Sequence, residues 1–495
     1  MPDISSAGLI QRPEQFFIGG DWVAPSSGAK IDVINPATEE LFVSVAEAQA
    51  EDIRRAVAAA RHAFDKGPWP RMPHAERAKY LRAFGVELQR RLGEFSRIWT
   101  SEIGATQGVA DGFLSGVPGV FEYHAGLADT FQWVERHEAL HSPGAVASFL
   151  VREPVGVVGA IVPWNGAPFL AAWKIAPAML AGCTVVLKAS PESPGALLLF
   201  GEIAKTIGLP AGVLNVVTAD REVSELLVRD PGIDKITFTG SSAAGKRIAS
   251  ICGERIARCT LELGGKSAAV ILDDYDVEEA AAHIAAYAPV LSGQVCSSLT
   301  RLVISKHRHD AFAEAMAEAF KAIRVGDPAD ASVGMGPLAM ARQRDRVEGY
   351  IAKGRAEGAT VATGGGRPAH LNRGYFIEPT VFANVDNNMT IAREEIFGPV
   401  VSIIPADNEA HAVEIANDTL FGLNASVFTN DATRAYQVAR QIQAGTVGQN
   451  WFRTDFSIAF GGFKQSGIGR EGGTEGLRPF LEAKTIILEG EPALG

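Results

Sequence analysis

Ile236-Thr237-Phe238-Thr239-Gly240-Ser241-Ser242-Ala243-Ala244-Gly245-Lys246 reads as a β-branched strand, a tight turn and the first turn of a helix. A dinucleotide-binding turn places glycines at relative positions 0, 2 and 5, the second so that backbone can approach a pyrophosphate. Gly240 and Gly245 match this spacing, while the middle position is Ser242. The helix N-terminus still offers free amides, and Ser241 adds a hydroxyl. Taken alone, the stretch is either a cofactor turn or a plain strand-to-helix turn.

Its surroundings narrow the choice. Upstream, the apolar β-branched runs Val157 to Val162, Thr184 to Leu187 and Val213 to Val217 lead to Lys235 to Thr239. Helical segments at Pro194 to Ile207 and Arg221 to Arg229 separate them. Such alternation predicts parallel βαβ units with helices on both sheet faces. A second α/β alternation follows Gly264, with runs at Ala268 to Leu272, Thr300 to Ile304, Val400 to Ile404 and Ala425 to Phe428. Nearer the N-terminus, Ile53, Val57, Ala60 and Phe64 recur at helical spacing, and a second amphipathic helix is predicted from Ala75 to Leu92. The Gly-rich stretches Gly364 to Gly366 and Gly461 to Gly473 read as loops. The run Thr485 to Leu488 could pair with another subunit.

A chain of 495 residues exceeds what one hydrophobic core serves, so two or more domains are expected. With 47% hydrophobic and 21% charged residues it has the composition of a folded globular protein. Its formal net charge of -11 argues against nucleic acid, which needs clustered Lys and Arg. Cys183, Cys252, Cys259 and Cys296 show no CxxC pairing, which fits a reducing compartment. Met1 through Arg12 lacks a basic region followed by an apolar stretch, and no apolar run reaches membrane-spanning length. The expectation is a cytoplasmic chain with no membrane and no nucleic-acid partner.

Cys296 lies in Gly293-Gln294-Val295-Cys296-Ser297-Ser298, a small polar stretch, whereas the other three cysteines sit in apolar patterns typical of core filler. Glu262 interrupts Thr260-Leu261-Glu262-Leu263 just before a double glycine. It is either a strand residue facing solvent or a base at the mouth of a cleft. Gly264-Gly265-Lys266-Ser267 is not a P-loop, because the motif's first glycine would fall at Thr260. His307 and His309 flank Arg308 in a polar loop with no third ligand nearby, so they read as a solvated pair and no metal is expected.

Together these segments resemble the aldehyde dehydrogenase superfamily over nearly the whole chain. The resemblance begins at Phe17-Ile18-Gly19-Gly20-Asp21-Trp22 and Asn35-Pro36-Ala37-Thr38, and continues through Pro163-Trp164-Asn165 and Phe238-Thr239-Gly240-Ser241. Leu261-Glu262-Leu263-Gly264-Gly265-Lys266 and Gly293-Gln294-Val295-Cys296 follow, with 34 positions from Glu262 to Cys296. Glu394-Glu395-Ile396-Phe397-Gly398-Pro399 and Phe460-Gly461-Gly462-Phe463-Lys464-Gln465-Ser466-Gly467 complete the order.

The resemblance implies an α/β fold of the aldehyde dehydrogenase type. A Rossmann-type cofactor domain would comprise residues 1–128 and 153–263, a catalytic α/β domain 264–477, and a small β oligomerisation element 129–152 and 478–495. A homodimer or homotetramer is implied. Cys296 would be the nucleophile, favoured as thiolate, with Asn165 and the Cys296 amide donating to the developing oxyanion. Glu262 would be the base that releases free acid, with Lys174 and Glu471 relaying the proton.

For the cofactor, NAD or NADP, the resemblance points to Trp164, Lys188, Gly240, Ser241, Gly245, Leu263, Glu395 and Phe397. Many NAD-preferring members carry a glutamate three residues after the lysine matching Lys188; here that place is Pro191, and the carboxylate falls at Glu192. NAD is favoured, with NADP left open. Ala459 replaces a proline common before the Phe-Gly-Gly motif, and the loop from Trp451 to Ile458 is short. By similarity Leu170, Trp173, Val295, Ser297, Trp451, Phe452 and Phe456 line the aldehyde tunnel. Such a lining suits a medium-sized hydrophobic or aromatic aldehyde. Arg453 is either an anchor for a substrate carboxylate, as in a semialdehyde, or solvated.

Overall fold

The strand Lys235–Thr239 is buried at every residue and pairs in parallel with Val157–Ile161 on one side and Arg258–Glu262 on the other. Burial on both faces is why these runs are continuously apolar rather than alternating. Thr184–Ala189 and Leu214–Thr218 extend the same parallel sheet, which the antiparallel strands Phe16–Ile18 and Asp21–Val23 close at one edge. Strand order reverses between Val157–Ile161 and Lys235–Thr239, and a crevice opens beyond the carboxyl ends at such a switch point. Trp164 follows one of these strands and Gly240 the other, so both face that crevice.

The computed structural model describes residues 9–493. The predicted helices form at Ala50–Asp65, His74–Arg90, Gly195–Thr206 and Arg221–Arg229. A second sheet takes Ser267–Ile271 as an inner strand, flanked in parallel by Leu299–Ser305 and Asn424–Phe428. Thr446–Gln449 and Val400–Ala406 lie next outward, followed by Thr380–Ala383 and an antiparallel edge strand Thr360–Thr363. The chain returns once to the first sheet, where Gly467–Ile468 pairs with Leu261 and Glu262.

Three expectations are refined. The last strand runs Leu481–Leu488 and pairs within the chain, antiparallel to Ala147–Pro154, which also pairs Val134–His137. The Gly461 to Gly473 stretch contains a short strand and a 3-10 turn rather than loop alone. His309 is buried, not solvated: its Nε2 accepts from the Asn384 amide at 3.1 Å because the following helix carries it inward, while His307 stays exposed. Of the leader reading on residues 1–12, residues 1–8 lie outside the described residues. Among the described residues no helix is long and apolar enough to cross a membrane.

Candidate active site

Two glycines after Glu262 let the two sheets meet. A Cβ on Gly264 would come within 2.4 Å of the Glu395 carboxylate, and one on Gly265 within 2.4 Å of the Cys296 carbonyl. The Gly265 amide donates to Glu395 Oε1 at 3.1 Å. The double glycine therefore brings the Glu262 strand end, the Cys296 loop and the Glu395 segment to one point.

The turn before Cys296 is wound left-handed through Leu291, Ser292 and Gly293, with φ of 51°, 54° and 72°. Two non-glycine residues in this region are costly unless their surroundings hold them. Here Ser292 Oγ donates to the carbonyls of Gly336 and Pro337 at 2.8 and 2.9 Å, and Gln294 Oε1 accepts from the Ala339 amide at 3.0 Å. A Cβ on Gly293 would lie 2.3 Å from the Gly398 carbonyl oxygen. Gly293→Ala is expected to destabilise the fold by about 1–3 kcal/mol and, by displacing the Cys296 loop, to lower kcat by ~10²-fold. Denaturant melts paired with steady-state rates check both, and a variant normal in each removes this strained turn from the account.

Cys296 and Glu262 line one cavity of about 790 Å3, together with Asn165. Glu262 is 2% exposed and neither carboxylate oxygen has a hydrogen-bond partner among the described residues. Burial, reinforced by the nearby Glu471, pushes its carboxyl well above the usual range, with Lys174 and Arg470 pulling the other way. A Cβ on Gly461 would meet Glu262 Oε1 at 2.6 Å, so glycine there gives the carboxylate its room. Burial, then the Glu395 and Glu262 carboxylates, push the Cys296 thiol up to about 12, against the backbone amides of Cys296 and Ser297. The resemblance implies a site that favours the thiolate for attack, whereas burial and the two carboxylates push the thiol the other way.

Asn165 Nδ2 donates to the Gln294 carbonyl at 2.9 Å, which ties it to the cysteine loop and leaves its second N–H for another acceptor. Behind Glu262, buried Lys174 Nζ donates to Thr239 Oγ1 at 2.7 Å and to Glu471 Oε1, which also accepts from Thr237 Oγ1 at 3.2 Å. Glu471 Oε2 has no hydrogen-bond partner among the described residues.

On the substrate side Leu170, Trp173, Val295, Ser297 and Phe452 line the cavity, joined by Phe460 of the Phe-Gly-Gly motif and by Phe113, Phe169 and Tyr287, which the sequence did not single out. Phe113 comes from the helix Gln107–Ser115, whose local sequence carries no sign of the site. Trp451 and Phe456 are outside this lining. Trp451 stands edge-on to His283 at 4.9 Å, and Phe456 edge-on to Tyr123 at 6.2 Å, both turned by the short loop into packing. Arg453 Nε donates to the Gln449 carbonyl at 3.2 Å, and Thr454 and Asp455 line the cavity beside it.

A second cavity of about 570 Å3 occupies the crevice of the first sheet, lined by Trp164, Lys188, Glu192, Gly240 and Ser241. Thr239 borders both cavities. Gly245 and Leu263 lie beneath the groove rather than in its lining: a Cβ on Gly245 would sit 2.4 Å from Leu263, so the glycine serves close helix-to-strand packing. Ser241 caps the helix, its Oγ accepting from the Ala244 amide at 3.3 Å. Phe397 stands edge-on to Trp164 with ring centroids 5.5 Å apart, beside Glu395, whose carboxyl burial raises to about 7.

The groove fits a dinucleotide on one observation above all. Lys188 is buried, lowered to about 8 chiefly by that burial, and makes no hydrogen bond or ion pair to another described residue. With the Glu192 and Asp220 carboxylates near it but no direct hydrogen bond to them, this buried ammonium keeps its donors for an anionic or polyhydroxylated ligand. Among the described residues no cluster of potential metal ligands occurs.

A switch-point crevice beside a cysteine and an unpaired carboxylate defines a nucleotide-dependent oxidoreductase. The chain belongs to the aldehyde dehydrogenase family, whose sequence profile matches residues 22–486, and it is an NAD(P)-dependent aldehyde dehydrogenase. It is 42% identical over 478 residues to geranial dehydrogenase of Castellaniella defragrans, covering 96% of this chain and 99% of that one. It is 39% identical to betaine aldehyde dehydrogenase 1 of Oryza sativa, covering 95% and 94%. The structure superposes with a TM-score of 0.94 on Mycobacterium tuberculosis aldehyde dehydrogenase complexed with NAD+, at 45% identity, covering 97% and 99%. The TM-score is 0.93 at 37% identity, covering 98% and 99%, for a Pseudomonas syringae aldehyde dehydrogenase mutant with NAD+ and octanal.

Proposed function

We propose that this chain oxidises a medium-sized apolar or aromatic aldehyde to the free acid, with NAD+ preferred over NADP+. The observation that carries the substrate class is the wall around the thiol: Phe113, Phe169, Leu170, Trp173, Phe452 and Phe460, with polar side chains gathered around Arg453 and Asp455. Apolar walls select by size and shape. Asp455, held by Ser457, puts a carboxylate in the lining that also holds Arg453, which weighs against a semialdehyde. The relatives named geranial dehydrogenase and crystallised with octanal point the same way.

In this reading Glu262, the base facing the sulfur, takes the thiol proton as Cys296 attacks the aldehyde carbon. Asn165 Nδ2 and the Cys296 amide then donate to the thiohemiacetal oxygen, where negative charge develops. Bound nicotinamide supplies the hydride acceptor. Collapse of the oxyanion leaves a thioester on Cys296. Once the thiol proton has left it, Glu262 deprotonates the water that hydrolyses the thioester, releasing the free acid and the Cys296 sulfur, and its lack of any hydrogen-bond partner among the described residues leaves both oxygens free for that water. Lys174 and Glu471 carry the proton away through their buried contact.

Residues 1–128 and 153–263 serve as the cofactor domain and 264–477 as the catalytic domain. Residues 129–152 and 478–495 form the subunit-pairing element, supported by open edges at Val134–His137 and Leu481–Leu488 and consistent with a homodimer or homotetramer.

A panel of aldehydes assayed as kcat/KM tests the substrate class. Medium-chain, terpenoid and aromatic aldehydes are expected to exceed succinic semialdehyde and aminoaldehydes by at least ~10-fold, the scale of a few buried methylenes. A charged aldehyde at the top of the ranking would overturn the reading.

A further inference from the structure

The last turn of one helix sets into the substrate cavity a phenol that the chemistry above leaves unused. Tyr287 ends the helix Val277–Tyr287 and lines the cavity with Cys296. Its ring stacks on Phe452 with centroids 3.8 Å apart and planes 13° apart, while His283, one turn earlier, meets Trp451 edge-on at 4.9 Å. Residues four apart share a helix face, so the helix end clasps two consecutive aromatic residues of the loop from Trp451 to Ile458. His283 Nδ1 lies 3.3 Å from the Tyr275 hydroxyl, which donates to Glu279 at 2.9 Å. The phenol ring is thus fixed in place and orientation before a substrate enters.

The Tyr287 oxygen makes no hydrogen bond to a described residue, yet it is not sealed in protein and opens on the cavity. A phenylalanine would stack on Phe452 equally well, and a tyrosine set into an apolar wall ordinarily finds a partner for its O–H. Burial, then the negative charge of a Cys296 thiolate, raises the phenol above its ordinary value, so it stays a neutral O–H donor. Asn165 and the Cys296 amide already serve the reacting oxygen in the reading above, which leaves Tyr287 to the body of the substrate.

That body lies among rings. Trp173 is tilted against Phe169 at 4.9 Å and against Phe460 at 5.1 Å, and all three line the cavity. Such surfaces pair with a flat ring in offset or edge-on geometry. We propose that Tyr287 is a specificity-determining residue whose hydroxyl donates to an oxygen on the substrate ring, so that the cavity favours aromatic aldehydes bearing a ring hydroxyl or methoxy group. A site built to hydrogen-bond one oxygen rejects the analogue lacking it, whereas apolar walls alone discriminate weakly. The inference rests on the apolar or aromatic substrate class proposed above and narrows it.

Steady-state rates of the full-length protein with NAD+ and matched benzaldehydes test it. Hydroxyl is paired with methyl and methoxy with ethyl, at the meta and para positions, so that each pair differs in the oxygen and little in size. Tyr287→Phe is expected to lower the ratio of oxygenated to alkyl kcat/KM by ~10-fold for the best-placed oxygen, with the change carried by KM. Intrinsic reactivity of the aldehydes cancels, because each ratio is compared between the two proteins. A ratio unchanged in Tyr287→Phe at both ring positions overturns the proposal. So does an equal fall with every aldehyde, because the phenol then acts on the reacting centre or the fold. Wild-type protein that oxidises charged aldehydes ahead of the entire aromatic series instead overturns the substrate class, and that result is read without the variant, so the two failures are separable.

Discussion

Cys296→Ala is expected to abolish aldehyde oxidation, lowering kcat/KM by at least ~10⁴-fold, as loss of a covalent nucleophile does elsewhere. Cys296 carries the one thiol among the described residues lining the cavity shared with Glu262 and Asn165, and removing it leaves no site for thiohemiacetal or thioester. Its loop is held by contacts of Ser292 and Gln294, none of which involves the thiol. The variant should therefore fold and bind NAD+ normally. Stopped-flow or steady-state absorbance of reduced nicotinamide, alongside a nucleotide titration, reads both. Substantial oxidation by the alanine variant would remove Cys296 from the mechanism.

Glu262→Gln is expected to give one burst of hydride transfer per site and then a steady rate lowered by ~10²–10⁴-fold, the usual contribution of a general base. The amide keeps the shape and cannot take a proton, so acylation proceeds slowly and hydrolysis of the thioester stalls. Steady turnover at the wild-type rate would exclude Glu262 as the deacylation base.

The pH dependence has a definite sign. Glu262 is raised by burial and Cys296 is pushed up to about 12, so the reactive deprotonated forms gain population with rising pH. Wild-type kcat/KM should climb from neutral to alkaline pH, and the part of that climb due to Glu262 should vanish in Glu262→Gln. Stability runs oppositely. A carboxyl whose folded pKa lies above its unfolded value favours the fold fully below the unfolded pKa, and that advantage is lost as pH rises through the folded pKa. Glu262→Gln should therefore melt higher than wild type on the alkaline side, measurable by thermal scans across pH.

Much of the fold was legible because burial writes itself into composition. Lys235 to Thr239 was readable as an inner strand since both of its faces are covered, and Arg221 to Arg229 as a helix since one face is apolar. The ordered motifs likewise led to Glu262, Asn165, Lys174, Glu471 and Cys296, which the fold brings together or links by contact. Legibility stopped where a side chain's role depends on partners distant in sequence. Trp451 and Phe456 are as aromatic as Phe452, yet the loop turns them into packing. Phe113 and Arg342 reach the cavities from helices whose local sequence gives no hint of it.

The amino-acid order alone determined the two α/β alternations, the place of the turn at Gly240 and the family to which the cysteine belongs, since these follow from local periodicity and spaced motifs. Tertiary structure alone decided the burial of Cys296 near the Glu395 and Glu262 carboxylates, the isolation of the Glu262 carboxylate and the contact of Arg342 with Glu192. Each of these depends on how near another charge lies and how much water remains between, and only the folded chain fixes those distances.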